Sequence, residues 1–290
     1  MDFRLAPYRF LFRTLDEVRF PEGKSGNVFR GALGLALRRL SCSADCPGPR
    51  QCRQRVQCAY ARLFEPVLDS GPSGLADPPR PFVLRPRFSE GRVLPAGTLL
   101  RLDVHVFDIR EDFLPALTAA LSEVAATGFG PGRGRAELAE VEAMTPLQID
   151  LAVDQPAVSR IRVDFLTPTE LKADGALVSQ PEFGTLIARV RDRVATLDRL
   201  YGTGAVRFDW NALTDRASAV RLASAQLRFT HVERRSSRTG RTHPLGGFVG
   251  PVEYEGDIAP FMGLLRAGEW TGVGRHTVWG KGAYRIAVPA

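Results

Sequence analysis

Two glycine-rich segments, each between a predicted helix and a predicted strand, constrain most strongly how this 290-residue chain can fold. The longer segment spans 268–286 and follows the apolar run that starts at Phe261. The shorter segment spans 128–135 and follows an Ala- and Leu-rich stretch. Because glycine permits positive φ and close backbone approach, such loops can wrap around phosphate, although an ordinary long connection has the same composition.

The order of predicted elements is the same in the two halves of the chain. Hydrophobic periodicity predicts, for the first half, helices over 28–40 and 113–126 and strands over 8–20, 82–88, 99–109 and 136–141. For the second half it predicts helices over 183–201 and 261–267 and strands over 160–167, 223–232, 248–254 and 283–288. Both halves read β-α-β-β-α-β. The sequence therefore predicts an α+β protein of two tandem ferredoxin-like (RRM-like, βαββαβ) domains, 1–145 and 146–290.

The charge of the chain is strongly positive and is carried almost entirely by arginine. The formal net charge is +7, and lysine occurs only at Lys24, Lys172 and Lys281 among 39 cationic residues. Arginine suits bidentate phosphate contacts and stacking on bases, which favours a polyanionic partner. A GC-rich genome produces the same bias, so composition alone leaves the partner open.

All four cysteines fall in one short segment, which we expect to be an insertion over about 41–60 in the first domain. The spacing is C-x3-C-x5-C-x5-C, formed by Cys42, Cys46, Cys52 and Cys58. Four neighbouring cysteines are typical of a tetrahedral thiolate site for zinc. An iron–sulfur cluster, free thiols and incidental disulfides remain alternatives, because the tight C-x2-C pairs of zinc ribbons are absent.

Several motifs together resemble one known family. They are LLRAGEWTGVGRHTVWGKGAYRI at 264–286, ERRSSRTGRTHPLGGFVGPVEYEGD at 233–257, FRGALGLALRRL at 29–40, CAYARLFEP at 58–66 and PPRPFVLRP at 78–86. This set resembles the CRISPR-associated precursor-RNA-processing endoribonucleases of the RAMP superfamily, over nearly the whole chain. One departure is that Arg275 and His276 stand where the family's glycine loop commonly has Lys and a small residue.

The resemblance implies an enzyme that binds CRISPR repeat RNA and cuts precursor crRNA once per repeat. The implied reaction needs no metal and no catalytic cofactor: the ribose 2′-OH attacks its own phosphate and leaves a 2′,3′-cyclic phosphate. Histidine suits the acid and base roles near neutral pH, so the candidate catalytic residues are His231, His276 and His243. The remaining histidine, His105, is expected to be a partly exposed strand residue.

The expected RNA contacts combine cations with backbone amides. In the long loop, Arg275 and Lys281 and the amides of the loop glycines are expected to hold phosphate. A basic hairpin is expected to lie along a groove of the RNA, and the first glycine loop supplies secondary contacts. The complete set of predicted RNA-binding residues is Arg234, Arg235, Arg238, Arg241, Gly272, Gly274, Arg275, Gly280, Lys281, Gly282, Arg133 and Arg135.

The alternative function is a non-catalytic RNA-binding RAMP subunit of a CRISPR effector complex, with other CRISPR effector subunits as its partners. A zinc-stabilised scaffold without RNA leaves both glycine loops unexplained. No apolar run reaches the length of about 18 residues that a membrane span requires, and the N-terminus lacks a signal-peptide core. The sequence therefore predicts a cytoplasmic protein with no membrane partner.

Overall fold

The structure is a computed structural model, and the chain in it divides into two compact units. It describes residues 1–43, 45–68, 77–87, 89–152, 156–173, 175–235 and 242–289, with Trp210, Arg234, Arg235 and His243 described by their backbone alone. One unit is Ala6–Thr145, and the other is Pro146–Ala290 together with Met1–Leu5. None of the helices in these stretches has the length and hydropathy that a bilayer-spanning helix needs.

The first unit is an antiparallel sheet with strand order β3-β5-β1-β6 and two packed helices, α1 and α3. Its elements in chain order are β1 (Asp2–Thr14), β2 (Val18–Arg19), α1 (Ser25–Ser41), α2 (Ala59–Phe64), β3 (Phe82–Arg87), β4 (Val93–Leu94), β5 (Leu99–Val106), α3 (Leu114–Thr127) and β6 (Ala136–Ala143). The cysteine segment connects α1 to α2.

Alternating burial explains why β1 is the central strand of this sheet. Phe10 and Phe12 are fully buried, and Phe10 pairs with Leu102 on β5 and with Val141 on β6. Helix α1 packs Phe29, among others at helical spacing, into the same cluster. The apolar faces of the sheet and of the helices thus form one core.

The second unit repeats this arrangement with strand order β11-β15-β8-β16, and β12 also pairs with β15. Its elements are β7 (Leu147–Asp150), β8 (Arg160–Thr169), β9 (Lys172–Ala173), β10 (Ala176–Leu177), α4 (Phe183–Tyr201), α5 (Trp210–Ser218), β11 (Arg221–Ala225), β12 (Arg228–Thr230), β13 (Glu233–Arg235), β14 (Thr242–Pro244), β15 (Gly247–Glu255), α6 (Met262–Thr271) and β16 (Tyr284–Ala287), with 3-10 turns at Ala259–Phe261 and Thr277–Trp279.

The predicted fold class is confirmed in both units. In each sheet the first strand of the βαββαβ unit lies between the third and the fourth, and the second strand lies outside the third, as in the split βαβ arrangement. Strand β1 also extends beyond its own sheet, because Asp2–Leu5 pairs with β7 of the second unit.

One expectation about a histidine is wrong. His105 lies on β5 and is only 5% exposed, so it is a buried residue rather than a partly exposed one. It pairs across the strands with Pro7 and with Val83. A side chain in this position cannot meet a large ligand at the surface.

The packing of α1 on α2 generates a stability prediction. A methyl group at Gly34 would lie 2.8 Å from Cε1 of Phe64, whereas nothing lies within 4 Å at Gly31. Phe64 is held by stacking on Tyr60 and by contact with Phe82, so it has little room to move. We expect the unfolding free energy of Gly34→Ala to be about 1–3 kcal/mol lower than that of Gly31→Ala, measured by urea denaturation.

Both substitutions gain the same helix propensity, about 1 kcal/mol, so the comparison isolates the clash with Phe64. Equal stabilities of the two variants would contradict the close packing of α1 on α2.

Candidate nucleic-acid interface

The sheet of the second unit brings two chain segments to one place, the carboxyl end of β8. Strand β8 pairs with β15 on one side and with β16 on the other, both antiparallel. The long glycine loop leads into β16, and the hairpin β13–β14 leads into β15. Because both neighbours of β8 begin at its carboxyl end, the loop and the hairpin flank the backbone at Thr169 and Glu170.

Direct backbone contacts support this placement. A Cβ on Gly274 would overlap the carbonyl oxygen of Glu170, and a Cβ on Gly247 would overlap that of Thr169. Both glycines have positive φ, +79° and +156°. Arg275 N–H donates to the carbonyl of Glu170 at 3.1 Å. Glycine is therefore required here so that two segments can approach the end of one strand.

Three of the loop glycines donate their backbone amides to carbonyls of the same unit. Gly272 N–H donates to Gly268 O at 2.8 Å, Gly280 N–H to Thr277 O at 3.0 Å and Gly282 N–H to Pro168 O at 3.1 Å. Each of these three amides already serves a carbonyl inside the unit, and their contribution to a phosphate site stays a prediction.

The two cations predicted in this loop differ in their surroundings. The Arg275 side chain is 53% exposed, and its Nη1 donates to Oε1 of Glu170 at 2.7 Å. Lys281 is only 3% exposed, and its predicted phosphate contact stays a prediction. Of these two cations, Arg275 is the one that the loop presents to solvent.

His276 and Trp279 form a stacked pair inside the loop. Their ring centroids are 4.8 Å apart with planes inclined by 17°, and both side chains are partly buried. His276 has φ 64°, a left-handed backbone that is uncommon outside glycine. Trp279 thus packs on the candidate catalytic histidine.

Buried groups anchor both ends of the loop. Arg193 Nε donates to the carbonyl of Thr271 at 2.9 Å, and burial lowers the pKa of Arg193 to about 10, so it stays charged at neutral pH. At the other end, Tyr284 Oη donates to Leu265 O at 2.8 Å, and burial raises the pKa of Tyr284. The loop is therefore tied to α4 and α6.

The hairpin carries the other predicted residues. Arg234 pairs with His243 and Arg235 with Thr242 across β13 and β14, while Arg238 and Arg241 lie outside the described residues. Strands β13 and β14 form a two-stranded basic ribbon, and His231 lies two residues before it and is exposed. At the ribbon's base, Leu245 N–H donates to Val232 O at 2.7 Å. The register thus places two of the predicted arginines and two of the candidate histidines on or beside one ribbon.

Sequence reasoning missed an exposed aromatic beside the ribbon. Phe229 on β12 is 53% exposed, and its ring meets Phe248 edge to face with centroids 6.3 Å apart. Its neighbour Arg228 is also exposed. An exposed aromatic beside a cation offers a stacking surface for a base. The available signal was a phenylalanine directly preceding a basic hairpin.

The first glycine loop repeats the same construction in the other unit. A Cβ on Gly134 would overlap the carbonyl oxygen of Glu17, just after β1. Arg135 forms a forked ion pair with Asp16, and these hydrogen bonds hold the pKa of Asp16 below its usual range. Arg133, with φ 47°, is exposed. Arg135 thus corresponds to Arg275, since each pairs with an acid just after the first strand of its unit.

A second stability prediction follows from the loop geometry. Gly282 has φ +67°, and a Cβ there would overlap the carbonyl oxygen of Val273. We expect Gly282→Ala to lose at least about 2 kcal/mol of unfolding free energy, measured by urea denaturation, because strain and overlap add. The control is Gly184→Ala in α4, which has nothing within 4 Å and should keep full stability. An equally stable Gly282 variant would show that the loop tolerates a side chain there.

Comparison with known proteins gives two family matches. Residues 163–284 match the model of the CRISPR-associated endoribonuclease Cas6, and residues 3–163 match that of the AF_1859_N N-terminal domain. No curated protein sequence matches the chain.

Solved structures resemble the chain over nearly its whole length. A Cas6 product complex, whose protein is from Thermus thermophilus, has TM-score 0.61 and 17% identity and covers 98% of this chain and 100% of its own. A partial Cas6-RT-Cas1–Cas2 complex has TM-score 0.55 and 10% identity, covering 99% of this chain and 46% of its own. A RAMP protein binding different RNA substrates has TM-score 0.50 and 13% identity, covering 97% and 99%.

At these identities the structural likeness concerns the fold, while the family model covers the part of the chain that contains β8, the basic ribbon and the glycine loop. By its family models, the chain carries an AF_1859_N N-terminal domain over more than half of its length, followed by a match to the CRISPR-associated endoribonuclease Cas6 over the part that contains the candidate site.

Proposed function

We propose that this protein binds CRISPR repeat RNA at the carboxyl end of β8 and cleaves precursor crRNA within each repeat. The observation that carries the proposal is the grouping of exposed Arg275, His231 and the basic ribbon around that strand end, within the residues that match the Cas6 family model. Cations around a scissile phosphate stabilise charge that develops on its oxygens, and histidine transfers protons near neutral pH.

The proposed reaction removes one proton from the attacking 2′ oxygen and adds one to the departing 5′ oxygen. A base takes the proton of the ribose 2′-OH, whose oxygen attacks the adjacent phosphorus, and an acid gives a proton to the departing 5′ oxygen. The products are a 2′,3′-cyclic phosphate and a 5′-OH, and the reaction consumes neither water nor metal. His231 is the first candidate for one of these roles, because it is exposed at the ribbon, with His276 and His243 as the others.

RNA binding is proposed to use the exposed members of the site. Arg275 contacts phosphate from the loop, the ribbon arginines follow the backbone, and Phe229 stacks on a base. Arg133 and Arg135, both exposed in the first unit, are secondary contacts, and Arg135 is paired with Asp16 as Arg275 is with Glu170. We further propose that the protein works beside other CRISPR effector subunits.

The cleavage test uses the cognate repeat RNA in EDTA, with and without a 2′-deoxy sugar at the cut site. We expect single-site cleavage of the unmodified RNA that survives EDTA and is abolished by the deoxy sugar, because the 2′-oxygen is the nucleophile. In the same assay, His231→Ala should slow cleavage by about 10²- to 10⁴-fold.

Three other outcomes of this assay would contradict all or part of the proposal. Tight binding without cleavage would favour the non-catalytic RNA-holding subunit. The first unit is compatible with that alternative, because its single histidine, His105, is buried. Cleavage that requires a divalent ion would contradict the proposed chemistry, and absence of binding would contradict the site.

The contribution of Arg275 can be measured through salt dependence. Each phosphate contact adds nearly one unit to the slope of log affinity against log salt, so Arg275→Ala should lower the magnitude of the slope by about 1. Arg216→Ala is the matched control, because Arg216 is similarly exposed and also ion-paired, with Asp257 at 2.8 Å, but lies on α5. Equal slopes for both variants would remove Arg275 from the RNA site.

A further inference from the structure

The cysteine segment lies outside the proposed RNA site, and its side chains converge. Cys42 ends α1 and Cys58 is the N-cap of α2, while Cys46 and Cys52 lie between them. The thiol of Cys42 is in hydrogen-bond contact with those of Cys46 and Cys58, and the thiol of Cys46 with that of Cys52. All four line one cavity of about 400 Å³.

Backbone hydrogen bonds fix the position of each cysteine. Their N–H groups donate to carbonyls three or four residues earlier in the chain, at 3.0–3.2 Å, and the acceptors for Cys42, Cys46, Cys52 and Cys58 are Arg38, Ser43, Gly48 and Gln54. Two thiols also accept bonds from the backbone, Cys46 from Gly48 N–H and Cys58 from Ala61 N–H at 3.5 Å. The turns that carry the four cysteines are therefore fixed by backbone hydrogen bonds.

This segment has no hydrophobic core of its own. Every described residue from 42 to 58 is partly buried or exposed, and Val56 is 70% exposed. A connection of this length without regular structure is uncommon in a compact unit unless something holds it together. The cysteines are free thiols here, so disulfides do not perform this task.

We propose that Cys42, Cys46, Cys52 and Cys58 bind one zinc ion as a closed structural site that fastens the α1–α2 connection. Four thiolates with no place for water are the ligand set of structural zinc. In the described residues, no three ligand-type side chains already have metal-ligand spacing. Binding therefore requires the thiols to rotate out of their pairwise contacts toward a common centre, with the turns retained.

The surrounding charge suits such a site. Four thiolates around a divalent ion leave a net charge of about −2, which needs compensation near the protein surface. Arg38 and Arg39 lie in the last turn of α1, directly before Cys42, and Arg53 lines the cavity. Cations thus surround the position where the negative complex would form.

The first test measures metal and thiols in the full chain, purified without a metal-affinity column after growth with zinc. We expect about one zinc per chain, released as a mercurial reagent titrates four thiols. The chain has only four cysteines, so every thiol counted belongs to this cluster. Cys52→Ser should lose the zinc, whereas Ser43→Ala, in the same segment but without a ligand atom, should retain it.

Two further measurements use the unmodified chain, in case a cysteine variant fails to fold. Replacing zinc with cobalt should give the intense visible bands and near-ultraviolet charge transfer of a tetrahedral four-thiolate ion. Removing the metal should also raise the rate of tryptic cleavage after Arg50 and Arg53 at least about tenfold, because cleavage follows the opening of the segment.

Folded protein without metal, with four rapidly reacting thiols and an unchanged tryptic pattern, would overturn the proposal. Stoichiometric iron with sulfide and visible colour would also overturn it, in favour of an iron–sulfur cluster. None of these readouts involves RNA, so they stand or fall independently of the cleavage assay.

Discussion

The second unit depends on the close approach of its long glycine loop to the carbonyl of Glu170, just after β8. Gly274 leaves no space for a Cβ against Glu170 O, and Gly282 leaves none against Val273 O. Hydrogen bonds from Arg275 and Gly282 backbone amides then hold the loop against β8. This contact brings the last strand into the sheet and places the exposed Arg275 beside the ribbon. The same contact therefore holds the last strand in the sheet and positions the candidate site.

The duplication shows which features are architectural and which are available for binding. Both units place a glycine against the backbone just after the first strand, Gly134 against Glu17 and Gly274 against Glu170, and both pair the loop arginine with an acid. Within the part of the chain that the structure describes, only the second unit adds a basic ribbon and an exposed aromatic next to this contact. The contact is therefore a packing device of the fold, and the ribbon distinguishes the unit that we propose to bind RNA.

Sequence periodicity predicted the regular core well and the chemistry of the loop poorly. Helix α4 was predicted with its observed bounds because its apolar residues keep a strict helical spacing. Helix α5 was missed because it is short and polar, although Asp209 was a readable N-cap signal. The burial of Lys281 and the internal hydrogen bonds of three glycine amides could not be predicted, because they depend on tertiary contacts, which residue type does not reveal.

Strand β1 imposes a constraint on how this sequence can change. Its buried positions are Phe3 and Leu5 where it pairs with β7, but Phe10 and Phe12 where it pairs with β5 and β6. Because side chains alternate along a strand, a one-residue insertion in either run would turn the following side chains to the opposite face. The side chains of β1 that are now buried would then face away from the cores that they fill. Lineages carrying this fold should accumulate substitutions in β1 while insertions and deletions collect in the loops.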